Sequence, residues 1–174
     1  AACDSFCGIF PERDGIRLFS APGRTEVGGN HTDHQHGCVL AGGVNLDVIA
    51  IVAPNVDNKV RIKSEGYDMD VIDIAELEKN EAEHGRASAL IRGVLSRFKE
   101  LGCALSGFNA YTTSNVLKGS GLSSSAAFEV LVGNIVNGMF FEAKADEITV
   151  AKIGQYAERE YFGKPCGLLD QMAS

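Results

Sequence analysis

Short apolar runs separated by turn-forming residues dominate the first half of the chain and predict a series of strands. Residues 16–20 form one such run, and residues 44–53 form another that is rich in β-branched side chains. Residues 21–23 (Ala-Pro-Gly) are expected to break the first strand. Residues 24–37 are too polar to bury a face, so we predict a loop or a functional segment there. Residues 38–40 are predicted to be a further short strand.

The pattern of polar and apolar positions changes from strand to helix near the middle of the chain. Residues 59–64 alternate, as expected of an antiparallel strand with one solvated face, and residues 69–74 follow after a turn. Residues 107–113 are predicted to be another strand. Between them, residues 87–101 are predicted to be a helix, because apolar side chains recur at spacings of three and four: Ala87, Leu90, Ile91, Val94, Leu95 and Phe98.

Three more helices are predicted after that strand. Residues 125–141 carry almost no charge, so this helix should be central and buried. Residues 146–161 form the next, with an inward face consisting of Ile148, Ala151, Ile153, Tyr156 and Ala157. The last should begin near Pro165, a residue suited to a first helical turn, with Leu168, Leu169 and Met172 as its apolar side chains.

The order of these elements (strands, helix, strand, helices) predicts an α+β domain in which a sheet packs against helices. The last predicted helix stops at Ser174 after about two turns. We therefore expect residues 1–174 to be one domain and the N-terminal part of a longer protein.

Composition restricts the classes of function. The chain has 174 residues, of which 45% are hydrophobic and 22% charged, and its net charge of −7 argues against a nucleic-acid or anionic-membrane surface. No apolar run approaches the roughly 20 residues of a membrane-spanning helix, and no signal peptide is visible. We therefore expect a cytoplasmic protein with neither nucleic-acid nor membrane partners.

Metal ligands do not form a recognisable pattern. The five cysteines are widely spaced, which indicates free thiols in a reducing compartment rather than a zinc site. His31, His34 and His36 cluster around Asp33 and leave a metal site open as a minor alternative to a solvated polar loop.

A glycine- and serine-rich stretch between a predicted strand and the buried helix holds the clearest candidate chemistry. Gly119 and Gly121 allow a tight backbone turn, and Ser123, Ser124 and Ser125 offer hydroxyl groups at a helix N-terminus. Backbone N–H groups and the helix dipole there favour an anion, so one interpretation is a phosphate-binding loop. The stretch does not fit a Walker A motif. The alternative, a Gly/Ser-rich loop ending in an ordinary serine N-cap, is equally compatible with these residues.

Three segments resemble the galactokinases of the GHMP kinase family. Residues 21–33 (APGRTEVGGNHTD) resemble the galactokinase signature, and residues 119–126 (GSGLSSSA) resemble the GHMP phosphate loop. Residues 163–172 (GKPCGLLDQM) resemble the segment that carries the catalytic aspartate. The order and spacing of the three segments match as well, so the resemblance covers nearly the whole chain.

The resemblance implies a GHMP-kinase N-terminal domain, of the ribosomal protein S5 domain 2-like type, with a mixed or antiparallel sheet and helices. It implies a sugar-recognition segment at about residues 21–37, a phosphate loop at about residues 117–127, and a C-terminal domain that is absent from this chain. The implied reaction is transfer of the γ-phosphoryl group of ATP to the C1 hydroxyl of galactose, with Mg²⁺. Without its C-terminal half, the fragment is expected to be inactive.

The resemblance also implies roles for individual residues. Asp170 matches the catalytic base and Arg24 the arginine that stabilises the transition state, although a purely structural ion pair is the alternative. Ser125 and Glu158 match the Mg²⁺ ligands, whereas composition alone would make Glu158 an exposed member of a charged run. The implied sugar contacts are Asn30, His31, Thr32, Asp33 and Gly167. The implied ATP contacts are Ser64, Gly119, Ser120, Gly121, Leu122, Ser123, Ser124 and Ser125.

The chain departs from the commoner galactokinase pattern near both ligands. Asn30 stands where Glu is usual and His34 where Tyr is usual, which leaves open a related substrate such as N-acetylgalactosamine. Leu117 replaces a usual Pro and is followed by Lys118, whose role the sequence leaves undecided. A non-catalytic sugar and ATP sensor is a third hypothesis, which the intact phosphate loop disfavours.

Overall fold

A mixed five-stranded sheet forms the centre of the computed structural model, which describes residues 1–117 and 119–174. The strands follow the spatial order β1-β2-β5-β3-β4, and every neighbouring pair is antiparallel except β3 and β5. Their bounds are Arg17–Gly28 for β1, Leu40–Pro54 for β2, Lys59–Ser64 for β3, Met69–Asp73 for β4 and Phe108–Ser114 for β5. The α+β class predicted from the sequence is therefore confirmed.

The helices lie on both faces of this sheet. Their bounds are Ala2–Ile9 for α1, Ala87–Glu100 for α2, Ser124–Phe140 for α3, Glu147–Tyr156 for α4 and Leu169–Ala173 for α5. A π-helix, Ala157–Phe162, continues α4, and short 3₁₀ turns occupy Thr32–Gln35 and Glu81–Glu83. No helix in the part of the chain that the structure describes is both long and apolar enough to span a membrane.

Alternation along β2 separates two hydrophobic clusters. Ala50 and Val52 face the main core, whereas Ile51 and Ala53 face the opposite side of the sheet. The main core lies between the sheet and the larger helices, and its fully buried members include Ile91, Phe98, Phe108, Leu131 and Ile135. On the other face, α1 covers the smaller cluster with Phe6.

The expected break after residue 20 is wrong. β1 continues through Pro22 as far as Gly28, with a shift of register between Pro22 and Arg24. Pro22 is tolerated because β1 is an edge strand, where a missing backbone N–H need not cost a ladder hydrogen bond. Arg24 therefore stands on a paired strand, opposite Gly43, and not in a loop.

Three further expectations need correction. The strand expected at residues 38–40 is instead the start of the single strand β2 at Leu40. Ile148 is 48% exposed and Val150 takes its place in the core. The last helix begins at Leu169 and not near Pro165, because the Asp33 carboxylate accepts a hydrogen bond from the Leu169 N–H at 2.9 Å and thereby caps the helix there.

Candidate active site

The three segments singled out in the sequence meet at one cleft of about 920 Å³. β1 and the turn after it contribute Arg24, His31 and Asp33, and the segment before and within α5 contributes Gly167 and Asp170. The described part of the predicted phosphate loop supplies another part of the wall: Leu117, Gly119, Gly121, Ser123, Ser124 and Ser125. Lys118 lies outside the described residues.

Arg24 and Ser123 hold the Asp170 carboxylate from both sides. Arg24 Nε donates to Asp170 Oδ1 at 2.6 Å, and Ser123 Oγ donates to Asp170 Oδ2 at 2.6 Å. Arg24 is 5% exposed, and its Nη1 also donates to the Gly121 carbonyl at 2.7 Å, which ties the pair to the phosphate loop. Burial raises the pKa of Asp170, but the hydrogen bonds from Arg24 and Ser123 outweigh it, so the pKa lies below its ordinary value.

The phosphate loop does not end in an ordinary serine N-cap. Ser123 precedes α3 with a φ of 53°, and its hydroxyl binds Asp170 instead of capping the helix. Gly119 and Gly121 both have a φ of 78°, a conformation that favours glycine. The first N–H groups of α3 have no partner within the helix, and Ser124 and Ser125 of that turn line the cleft. These features fit an anion such as phosphate.

Asp33 and Gly167 lie close against each other in the same cleft. A side chain at position 167 would place its Cβ 1.8 Å from Asp33 Oδ2, so only glycine fits there while the carboxylate keeps its position. His31 lies beside Arg24, whose Nη2 is 2.9 Å from His31 Nε2. An arginine can only donate, so Nε2 accepts and the ring proton lies on Nδ1, against the Glu26 carboxylate.

Some predicted sugar contacts do not line the cleft. Asn30 is exposed and Thr32 is half-buried, and the Thr32 hydroxyl donates to the Gly29 carbonyl at 2.8 Å. His34 and His36 do reach the cleft wall. Within residues 1–117 and 119–174, no cluster of three or more His, Cys, Asp or Glu side chains could hold a metal ion, which disfavours the histidine metal site.

Glu158 is buried, so its interpretation as an exposed member of a charged run is wrong. It is 1% exposed and lies on the π-helix. Ser125 Oγ is 3.2 Å from Glu158 Oε1, which brings the two expected Mg²⁺ ligands together. Mg²⁺ prefers oxygen ligands and takes one or two from a protein, so a hydroxyl and a carboxylate at this distance fit the ion.

Sequence reasoning missed three residues around Glu158. Lys164 Nζ is 3.0 Å from Glu158 Oε1, and Gln171 Nε2 donates both to Glu158 Oε2 at 2.9 Å and to Glu129 Oε2 at 3.0 Å. Burial, and then the charge of Glu158, raise the pKa of Glu129 well above its ordinary value. One signal could have revealed Glu129, because it is the single charged residue of the apolar run 125–141.

Ser64 lies in a second, adjoining cleft of about 630 Å³. Its hydroxyl accepts from Thr112 Oγ1 at 2.8 Å, across the parallel pair β3 and β5. Ser124 and Ser125 line both clefts, so the second cleft reaches the same phosphate loop from the other side. Among the predicted ATP contacts, Ser120 is exposed and its hydroxyl donates to the Leu117 carbonyl. The Leu122 carbonyl accepts from the Arg24 N–H.

Comparison with known proteins gives matches to two family models and to many relatives. The galactokinase galactose-binding signature matches residues 4–54, and the N-terminal domain of GHMP kinases matches residues 89–174. Galactokinase of Bacillus subtilis (strain 168) is 33% identical over 171 residues, which cover 97% of this chain and 43% of that protein. Galactokinase of Lactobacillus helveticus is 36% identical over 159 residues, which cover 90% of this chain and 41% of that protein.

A solved structure agrees with these sequence matches. The crystal structure of Lactococcus lactis galactokinase complexed with galactose aligns with a TM-score of 0.88 at 28% identity, and the alignment covers 98% of this chain and 44% of that one. The chain thus spans about two fifths of the length of the relatives it matches.

Proposed function

The chain belongs to the GHMP kinase family and carries the galactokinase signature, and from this premise we propose that the complete protein transfers the γ-phosphoryl group of ATP to the C1 hydroxyl of galactose. One observation carries the proposal: Asp170 is held between Arg24 and Ser123 at the edge of a loop that fits phosphate. A carboxylate fixed beside a phosphate site is what a proton-accepting base in phosphoryl transfer requires.

Asp170 acts as the base in this proposal. The C1 hydroxyl oxygen forms a bond to the γ-phosphorus, the bond to the β,γ-bridging oxygen breaks, and ADP leaves with that electron pair. The hydroxyl proton passes to Asp170, whose lowered pKa keeps it ionised at neutral pH. As a weak base, it accepts the proton late, when bond formation has made the hydroxyl acidic. Arg24 neutralises the charge that develops beside it.

The nucleotide phosphates would lie on the phosphate loop between the two clefts. Gly119 to Ser125 and the N-terminus of α3 supply N–H and hydroxyl donors, and Ser64 marks the second cleft as the place for the rest of ATP. Ser125 and Glu158 would hold Mg²⁺, which neutralises charge on the phosphate oxygens when bound. The burial of Glu158 and its contact with Ser125 support this assignment.

Asp33 would bind the sugar, because a carboxylate accepts hydrogen bonds from adjacent hydroxyl groups. Gly167 leaves it room, and His31 lies within 3.3 Å of Asp170. We assign Asn30 and Thr32 to the turn that presents His31 and Asp33, since neither lines the cleft. Because all five cysteines are free thiols, we further propose that the protein acts in the cytoplasm.

A sugar panel assayed for ATP- and Mg²⁺-dependent phosphorylation with the full-length protein tests the proposal. We expect galactose to be phosphorylated at C1. Preferential phosphorylation of N-acetylgalactosamine would instead indicate that the departures at Asn30 and His34 change the sugar preference. Sugar binding without turnover would indicate a sensor.

Asp170→Asn tests the base in the same assay. The amide keeps the size of the side chain but cannot accept the proton, so kcat should fall by about 10²–10⁴ while galactose affinity, measured by calorimetry, stays within a few-fold. Asp14→Asn, at an exposed turn outside the cleft, is the control and should behave as wild type. Near-wild-type turnover of Asp170→Asn would show that another group takes the proton.

A further inference from the structure

Lys164 and Glu158 form an ion pair whose two ends differ in burial. Glu158 is 1% exposed, whereas the side chain of Lys164 is 55% exposed and lines the cleft. The backbone N–H of Lys164 also donates to the backbone carbonyl of Glu158 at 3.0 Å, so the backbone of Lys164 is fixed beside the π-helix. The Glu158 carboxylate is therefore buried and fixed in position, whereas the Lys164 ammonium lies at the end of a flexible side chain that solvent reaches.

The two oxygens of Glu158 have different partners. Oε2 accepts from Gln171 Nε2 at 2.9 Å, in the buried interior. Oε1 faces Ser125 Oγ at 3.2 Å and Lys164 Nζ at 3.0 Å. Oε1 is thus the oxygen that a divalent cation shared with Ser125 would use, and the ammonium already occupies it. Two cations at one oxygen repel each other, so binding of a metal ion has to displace Lys164.

A displaced ammonium would remain in the cleft. Although burial lowers the pKa of Lys164, the hydrogen bond and charge of Glu158 and then the charge of Asp170 raise it, so the side chain stays charged. Both carboxylates of the site therefore act on this ammonium. Ser124 and Ser125 of the phosphate loop share the cleft with it, which places phosphate oxygens bound there near the lysine.

We propose that Lys164 is a phosphate-binding residue with two alternative partners. It neutralises Glu158 while no metal ion is bound, and it turns to the transferred phosphoryl group when Mg²⁺ takes Glu158 Oε1. The inference rests on the proposed function for its second half, because only a phosphoryl donor supplies the second partner. The first half of the proposal is competition between the ammonium and a metal ion, and it does not depend on any phosphoryl transfer.

Metal binding to the nucleotide-free, full-length protein tests the first half. Mn²⁺ serves as the probe, because free Mn²⁺ can be counted by electron paramagnetic resonance. Lys164→Met removes the competing charge with an unbranched side chain, so Mn²⁺ should bind about fivefold more tightly, the factor that corresponds to an ion pair of about 1 kcal/mol. Lys164→Arg should bind Mn²⁺ as wild type does. Lys152→Met, on the exposed face of α4, is the matched control and should change nothing.

Steady-state kinetics at saturating Mg²⁺ test the second half. Lys164→Met should lower kcat by about 10- to 100-fold with the KM for galactose unchanged, since a charge on the transferred group matters most in the transition state. Lys164→Arg should retain most of the turnover. Unchanged Mn²⁺ affinity in Lys164→Met would overturn the competition, and tighter Mn²⁺ binding with wild-type kcat would overturn the contact with phosphate. Failure of the wild type to phosphorylate any sugar would instead contradict the proposed function. The Mn²⁺ binding result could still be interpreted in that case, because it does not depend on turnover.

Discussion

The pKa values of two acids near the cleft are shifted in opposite directions by their surroundings, with Asp170 half-buried and Glu129 buried. Asp170 receives hydrogen bonds from a guanidinium and a hydroxyl, which favour its charged form. A carboxylate has about four lone-pair positions, so Asp170 can still accept a proton after these two bonds are made. Among the described residues, only the amide of Gln171 donates to Glu129, which lies in an apolar helix, so burial favours its neutral form.

The unpartnered oxygens near Glu129 agree with a neutral acid. Glu129 Oε1 and Gln171 Oε1 are buried, and neither has a hydrogen-bond partner among the described residues. A proton on Glu129 Oε1 would turn one of two orphaned acceptors into a donor. The two side chains are already joined by one hydrogen bond, from Gln171 Nε2 to Glu129 Oε2.

Glu129→Gln should therefore alter the pH dependence of stability. Glu129 in the unfolded chain ionises near a pKa of about 4.3, whereas the folded state retains the proton at higher pH. Its contribution to stability is fully present below that pH and is lost as pH rises towards the raised pKa of the folded state. Glutamine never ionises, so the variant should gain unfolding free energy relative to wild type as pH rises.

Urea unfolding of the full-length protein at pH 5 and at pH 8 measures this difference. Glu78→Gln, which removes an exposed carboxylate, is the matched control and should follow wild type at both pH values. A difference between Glu129→Gln and wild type that is equal at pH 5 and pH 8 would mean that Glu129 is already ionised in the folded protein.

At the scale of elements, periodicity predicted the long segments well and failed where tertiary contacts decide. The predicted bounds of α2, α3 and β3 agree with the structure within a residue at each end. The local sequence Pro22-Gly23 indicates a turn. The strand continues through it because β1 lies at the edge of the sheet, which the local sequence does not reveal. The start of α5 depends on the Asp33 side chain, which is 136 residues away.

Gly167→Ala should move the Asp33 carboxylate out of its place in the proposed sugar site. The added Cβ would lie 1.8 Å from Asp33 Oδ2, so the carboxylate has to leave its position and the cap on Leu169. We expect galactose affinity to fall about 10- to 100-fold, the effect of one unmet buried hydrogen bond, while ADP affinity is retained.

Calorimetric titration of the full-length protein with galactose and with ADP separates the two effects. Gly8→Ala in α1, where a Cβ would meet nothing within 4 Å, is the matched control. Unchanged galactose affinity in Gly167→Ala would remove Asp33 from the proposed sugar site.

At the scale of the whole molecule, the candidate site unites parts of the chain as far apart as Arg24 and Asp170. The motifs could be predicted from the sequence because each has a local pattern. The contacts of Glu158 could not, since Lys164 and Gln171 belong to no periodic pattern and the burial of Glu158 depends on how the π-helix packs. The position of Asn30 could not be predicted either, because this residue belongs to the sequence motif but does not line the cleft.

Residues 1–174 alone should not phosphorylate galactose measurably, since they span only about two fifths of the relatives they match. Asp170 stands on α5, a helix of five residues, whereas isolated helices shorter than about 12 residues are marginal in water. Leu169 is the one buried apolar side chain of this helix, whereas Met172 is 47% exposed, so the apolar packing of α5 rests on Leu169. A displacement of Asp170 by about 1 Å can cost about 100-fold in rate.

An ADP-release assay on the purified piece, beside the full-length protein at equal concentration, tests this expectation. Hydrogen exchange in the same two samples should show α5 amides less protected in the piece, while those of α3, whose residues are largely buried, keep their protection. Loss of protection in both helices would mean that the piece does not fold, and activity would then say nothing of α5. Turnover near the full-length rate would show instead that the phosphate loop and Asp170 form a self-sufficient site.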